Sequence, residues 1–157
     1  MNVFLDASAL AKAYLAEDGS SNVRGVIARA DGDLYLSDFV ALEVLTSLRA
    51  AFRGLGARVH DSAVRSFYAD FPLRFTVMDV DAGIRKEAMV LTTRSRSARA
   101  RSMDVLHIAT AMQLQREQGP VTMVTSDRDL ADLARECGLR TFDPSREPLA
   151  ALPRVPR

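Results

Sequence analysis

Val121-Thr122-Met123-Val124-Thr125-Ser126-Asp127 is the stretch whose reading decides the fold. Its apolar and β-branched residues run without a helical period and stop on an acid. The residues that follow, Asp127 to Cys137, have helical spacing and end at Gly138, a helix stop. The chain opens in the same order: Val3-Phe4-Leu5 is a short apolar run, Asp6 closes it, and Ala7-Ser8 leads into a helical stretch. Runs this apolar, with little alternation, suit strands covered on both faces, as in a parallel sheet.

Read the same way, the chain gives strand candidates at Asn2–Leu5, Leu34–Ser37, Phe75–Met78, Thr122–Thr125 and Arg140–Phe142. Helical segments lie between them: Ser8 to about Ala16, Ser21–Ala30 stopping at Asp31-Gly32, and Asp38–Arg53 stopping at Gly54. The others are Arg58–Phe71 closed by Pro72, Asp81 to about Thr93, Ser102–Gln118 ended by Gly119-Pro120, and Asp127–Cys137. Alternation of this kind predicts an α/β fold, with helices flanking a parallel sheet. Five strands in the order 3-2-1-4-5 are expected.

The length of 157 residues fits one domain able to bury an ordinary core. A hydrophobic fraction of 48% and a charged fraction of 26% are those of a soluble globular protein. The formal charge of +1 exerts no strong global pull on a polyanion or a membrane, so any attraction to nucleic acid must be local. Cys137 is the only cysteine and reads as a buried small residue before Gly138. With no cysteine framework, leader pattern or long apolar stretch, the chain is expected in the cytoplasm with no membrane partner.

Four acids, Asp6, Glu43, Asp104 and Asp127, lie where strand ends or helix starts can aim them at one point. Asp6 and Asp127 each end an apolar run, so both would flank the switch point of a 3-2-1-4-5 sheet, the crevice where open α/β sheets bind ligands. Glu43 sits inside Phe39-Val40-Ala41-Leu42-Glu43-Val44-Leu45, where a carboxylate is costly unless paired or bound to a cation. Asp104 opens the apolar helix Val105-Leu106-His107-Ile108-Ala109, where the helix's positive end favours an acid. Taken singly, each has a plain alternative as a helix cap or a solvated residue. Together they would repel one another, and Mg²⁺ or Mn²⁺ would relieve the conflict. Ser8, Ser126 and Asp129 stand beside these acids as supporting residues. His107, three residues after Asp104, reads as a packing or orienting residue.

The ordered set Val3-Phe4-Leu5-Asp6-Ala7-Ser8, Ala41-Leu42-Glu43-Val44, Asp104-Val105-Leu106-His107-Ile108-Ala109-Thr110-Ala111 and Thr125-Ser126-Asp127-Arg128-Asp129-Leu130 resembles the PIN-domain family, most closely its VapC-type toxins. The resemblance implies a PIN-like domain over residues 1–143 and a Mg²⁺- or Mn²⁺-dependent endoribonuclease. It gives Asp6, Glu43, Asp104 and Asp127 the family's acidic positions and Ser8 the hydroxyl position after the first acid. It also implies a homodimer and a cognate antitoxin that blocks the acidic pocket. Residues 144–157, with Pro144, Pro148, Pro153 and Pro156, extend past the likeness and read as an irregular tail over the surface.

Arg94, Arg96, Arg99 and Arg101 form a basic run just before Asp104. They read equally as a grip on RNA phosphates or as a solvated loop balancing the acids; no aromatic residue is interleaved for base stacking. Two rival readings remain. A receiver-like phosphoacceptor module would use Asp6, Asp79 and Ser126, but leaves Glu43 and Asp104 without a role. A non-catalytic PIN domain would bind RNA or antitoxin only.

Overall fold

Strand β1 (Asn2–Leu5) forms the middle of the molecule, and its Val3, Phe4 and Leu5 are wholly buried. The computed structural model describes residues 2–30, 33–53, 57–95 and 99–152. After β1 come α1 (Ala7–Leu10), a 3-10 turn (Ala11–Ala13), α2 (Ser20–Arg29), β2 (Leu34–Ser37), α3 (Asp38–Ala51) and α4 (Ala57–Arg74). The chain continues through β3 (Thr76–Met78), α5 (Ala82–Arg94), α6 (Ser102–Gln118), β4 (Val121–Val124), α7 (Arg128–Glu136) and β5 (Arg140–Phe142). A second 3-10 turn, Leu149–Ala151, follows.

All pairings are parallel, as the alternation of elements leads one to expect, and the order is the expected β3-β2-β1-β4-β5. The chain therefore builds outward from β1 to β3, then returns to the other side of β1. Successive side chains of a strand point to opposite faces, and the core divides accordingly. Val3, Leu5, Leu34, Leu36 and Val124 pack with α1 to α4 on one face. Phe4, Val121 and Met123 pack with α5, α6 and α7 on the other. Burial on both faces explains why β1 and β4 read as continuous apolar runs.

The edge strands do not share that burial. Thr76 and Val77 of β3 and Arg140 of β5 are exposed, contrary to a reading of every strand as covered on both faces. Edge strands have one open flank, so their composition is freer. The first helix is also shorter than expected: α1 starts at Ala7, capped by Asp6, and tightens into the 3-10 turn before Tyr14. Pro72 does not end α4, which runs on to Arg74. Proline there removes one bond, to the carbonyl of Tyr68. Tyr68 is exposed, so that carbonyl lies on the solvated side of the helix. Gly138 ends α7 as expected. With φ at 78° it lets its own N–H reach the Arg135 carbonyl and Leu139 reach that of Ala134, the two bonds of a Schellman ending. The stops expected at Asp31-Gly32 and Gly54 lie outside the described residues.

The segment after β5 is irregular, yet it is tied to α2 through Leu152. The Asn22 amide donates to the carbonyls of Pro144 and Glu147, and Arg29 donates to that of Leu149. Leu152 is buried in the core. The proline-rich composition hid this because the anchoring groups are backbone carbonyls, which any sequence supplies. Pro153 and Pro156 lie outside the described residues.

Gly19 is where this segment presses hardest. Its φ is 89°, and a Cβ would lie 2.9 Å from the Pro144 carbonyl carbon and oxygen. Gly19→Ala is expected to destabilise the fold by at least about 1–2 kcal/mol in urea denaturation, the usual cost of a left-handed conformation for an L-residue. Gly25→Ala, whose Cβ would meet only the flexible end of Leu149, is expected to cost less than about 1 kcal/mol. Equal losses would show that the backbone contact at Gly19 is not the limiting one.

Candidate metal centre

Three strands end on a polar residue at the same level of the sheet. Leu5 pairs with Val124 and Phe4 with Tyr35, so the register carried on, one step from the first pair and two from the second, sets Asp6 between Thr125 and Ser37. The ladder continues there, since Asp6 N–H donates to the Val124 carbonyl and Thr125 N–H to that of Phe142. This row lies at the carboxyl edge beside the switch point, where strand order reverses.

Asp6 is only 5% exposed, and its two oxygens have different fates. Oδ2 accepts from the Ser8 N–H at 3.1 Å, the Ser8 hydroxyl at 2.5 Å and the Thr125 hydroxyl at 3.0 Å. The two hydroxyl oxygens in turn accept backbone N–H groups, Ser126 to Ser8 and Asp127 to Thr125, each at 3.0 Å. The turn after β4 is thereby tied to the turn after β1. Oδ1 of Asp6 has no hydrogen-bond partner among the described residues. No polar side-chain atom among them is both sealed from solvent and unpartnered, so Oδ1 opens to solvent.

Glu43, Asp104 and Asp127 repeat this division. Glu43 Oε2 accepts from His107 Nε2 at 2.7 Å. Asp104 Oδ2 accepts from the Arg101 N–H at 2.7 Å, reaching back over the first turn of α6. Asp127 Oδ1 caps α7 by accepting from the N–H groups of Asp129 and Leu130. In each case the second oxygen has no hydrogen-bond partner among the described residues. Asp6, Glu43 and His107 each bring one ligand-type atom within 4.8 Å of the others. Asp104 and Asp127 are not part of that cluster, but Asp104 feels the charges of Asp127 and Asp6, and His107 those of Asp6, Glu43 and Asp104.

These surroundings shift two groups. Burial, the largest influence, raises the Asp104 carboxyl; the Arg101 N–H opposes it, and the Asp127 and Asp6 charges reinforce the upward shift. For His107, burial opposes the charged ring, yet the Glu43 hydrogen bond and the acids around it outweigh burial and raise it. The chemistry of the donor set, hard carboxylate oxygens, fits Mg²⁺ or Mn²⁺. A cation would offset the repulsion that the fold imposes.

Of the supporting residues, Ser8 binds Asp6 directly. Ser126 contributes its N–H, while its hydroxyl lies 3.3 Å from that of Ser145. Asp129 offers its backbone N–H to Asp127, which caps α7. Arg94, Arg99 and Arg101 are exposed, with no ion pair among the described residues; Arg96 lies outside them. Three participants were not singled out as supports: Thr125, Ser37 and the full part of His107. Thr125 and Ser37 carried a legible signal as polar residues closing apolar strands level with Asp6. Glu43 lies near the core for a different reason than its neighbours suggest. Leu42 is 65% exposed, and only Val40, Val44 and Leu48 form the buried stripe of α3.

The topology also bears on the receiver-like reading. Asp79 follows the edge strand β3 and is exposed, with β2 standing between β3 and β1. Asp6 and Asp79 therefore do not end adjacent strands, as a shared phosphoacceptor site would need.

The family model for the PIN domain matches residues 3–136. The chain belongs to the PIN-domain family. Solved structures share the fold at low identity. FitAcB from Neisseria gonorrhoeae has a TM-score of 0.70 at 16% identity, covering 92% of this chain and 99% of that one. The Sarcin-Ricin loop cleaving toxin VapC20 of Mycobacterium tuberculosis has a TM-score of 0.62 at 22% identity, covering 83% and 94%. DNA-bound VapBC from Salmonella typhimurium has a TM-score of 0.64 at 14% identity, covering 92% and 98%. No curated protein sequence matches the chain.

The raised Asp104 carboxyl of this PIN domain has a consequence for stability. The folded state holds that proton more tightly than the unfolded chain does, so ionisation opposes folding. Stability from this group is present below the ordinary carboxylate range and is lost as pH rises through it to the raised folded value. In chelator at pH 7, Asp104→Asn is expected to raise Tm, and the gain should vanish below the carboxylate range. A variant less stable than the parent at pH 7 would show that burial of the Asp104 charge and its repulsion by Asp127 and Asp6 do not govern stability.

Proposed function

We propose that this PIN domain is a Mg²⁺- or Mn²⁺-dependent endoribonuclease, the toxin of a type II toxin–antitoxin pair, acting in the cytoplasm as a homodimer. One observation carries the reading. Asp6, Glu43, Asp104 and Asp127 each use one oxygen to be held by the fold and leave the other without a hydrogen-bond partner among the described residues. Acids serving only as caps or surface groups have no reason to gather where their charges oppose one another.

A bound Mg²⁺ or Mn²⁺ ion would supply the charge that activates water and stabilises an attacked phosphodiester. Asp6, Glu43, Asp104 and Asp127 would hold it, with Ser8 and Thr125 fixing Asp6. Arg94, Arg99 and Arg101 are exposed and precede Asp104 in the chain, and they would meet RNA phosphates. A toxin role is supported by neighbours of the same fold that occur in FitAB and VapBC complexes and, for VapC20, as a Sarcin-Ricin loop cleaving toxin. Among the described residues no helix is long and apolar enough to cross a membrane. Exposed Leu42, Leu73 and Met89 offer apolar surface to an antitoxin or a second subunit.

Purified without antitoxin, the protein is expected to cleave RNA when Mn²⁺ or Mg²⁺ is added and to stop in chelator. Asp6→Asn should lower the rate by more than about 100-fold, beyond the roughly 10–100-fold typical of changes outside the ligand shell. Equal cleavage by parent and variant would mean a contaminating nuclease. Metal binding without cleavage would favour the non-catalytic reading.

RNA affinity measured against salt tests the arginines. Arg99→Ala or Arg101→Ala should flatten the slope of log K on log salt by about 0.7 per lost contact with single-stranded RNA. Arg140→Ala, on the outer strand β5 and at its opposite end, should leave the slope unchanged.

A further inference from the structure

The Ser37–His107–Glu43 chain is drawn from three separate elements, the end of β2, α6 and α3. Ser37 is fully buried and His107 is 1% exposed, whereas the Glu43 side chain is 34% exposed. The buried end of the chain thus holds the exposed end. Ser37 Oγ lies 2.8 Å from His107 Nδ1, and His107 Nε2 lies 2.7 Å from Glu43 Oε2.

Ser37 shows that this arrangement overrides local preference. It stands at the N-cap of α3, where a serine side chain ordinarily accepts a helix N–H, yet it makes no such bond. Its hydroxyl is given to His107 instead. A carboxylate only accepts, so Nε2 carries the proton of its bond to Glu43. This holds whether or not Nδ1 is also protonated. With Nε2 spent in this way, it has no lone pair left for a cation, although it lies among the three clustered ligand-type atoms.

We infer that His107, braced by Ser37, is a positioning residue: it fixes Glu43 through Oε2 so that only Oε1 is presented to the cation or its water. This rests on the metal-dependent reading of the site. Partners one layer outside the ligands commonly act so, orienting the carboxylate and closing its other lone pairs. The assignment also separates Glu43 from Asp6, Asp104 and Asp127, whose fixed oxygens are bound mainly by backbone N–H groups or hydroxyls.

The test is Mn²⁺ titration of the full chain, followed by the electron spin resonance of free Mn²⁺, with cleavage as a second readout. His107→Ala should bind Mn²⁺ roughly 10–100-fold more weakly, and Ser37→Ala should fall in the same direction by less. His107→Gln, which retains an N–H donor, should recover part of the loss, and it carries the test should the alanine variant not fold. The double variant Glu43→Ala/His107→Ala should bind no more weakly than Glu43→Ala alone, because His107 acts through Glu43. Additive losses would make His107 an independent ligand and overturn the inference, as would unchanged affinity in His107→Ala. In metal-free protein, nitrogen NMR should show His107 Nε2 protonated; an unprotonated Nε2 also overturns it. Asp6→Asn is the control. If it keeps full Mn²⁺ affinity, the metal centre itself is misread; if it alone loses affinity, only the role of His107 fails.

Discussion

The parallel pairing of β1 with β4 is the constraint on which the rest depends. It joins residues more than a hundred positions apart and sets Asp6 directly beside Thr125. The Asp6 carboxylate then ties the two strand ends together through the hydroxyls of Ser8 and Thr125 and, through them, the N–H groups of Ser126 and Asp127. Shift the register by one residue and each of these side chains would move to the other face of the sheet. The wholly buried Phe4 and Met123 would exchange faces with Val3 and Val124 at the same time, which is why the register is strongly fixed.

Structure and charge are coupled through this arrangement. Asp6 and Asp127 cap α1 and α7, and Asp104 closes the first turn of α6. Each acid thus stabilises an element through one oxygen while its charge acts on its acidic neighbours through the whole carboxylate. Helix N-termini favour nearby acids, and this offsets part of the mutual repulsion. The cap and ligand readings of these residues are therefore not alternatives. The same side chain can serve both because a carboxylate has two oxygens and a cap needs only one.

What the sequence showed follows from how locally each feature is encoded. Strand–acid–helix order is a local pattern, so the strands, their parallel sheet and the positions of Asp6 and Asp127 could be read from short stretches. Glu43 was marked by its apolar neighbours, although Leu42, one of those neighbours, is exposed. Its true environment depends on His107, which lies on a helix across the sheet edge, and no local pattern encodes that meeting. The place of Ser37 at the end of an apolar strand was legible, but its bond to His107 was not, because a serine before a helix reads as an ordinary cap. The segment from Asp143 to Leu152 escaped notice because its ties to Asn22 and Arg29 run through backbone carbonyls.

Assembly from distant parts also governs when the site can exist. Asp6 and Thr125 meet only after β4 has been inserted next to β1, and β1 already has β2 on its other flank. Such non-local pairing carries a loop-closure cost that is recovered only when the sheet is complete. A chain folded as far as α5 would hold Asp6 and Glu43 but lack His107, Asp104, Thr125 and Asp127. Asp6 would then have only Ser8 to hold it, and Glu43 would have no brace. Formation of the candidate site is thus inseparable from closure of the central strand pair, so the charge cluster arises only in a domain already able to contain it.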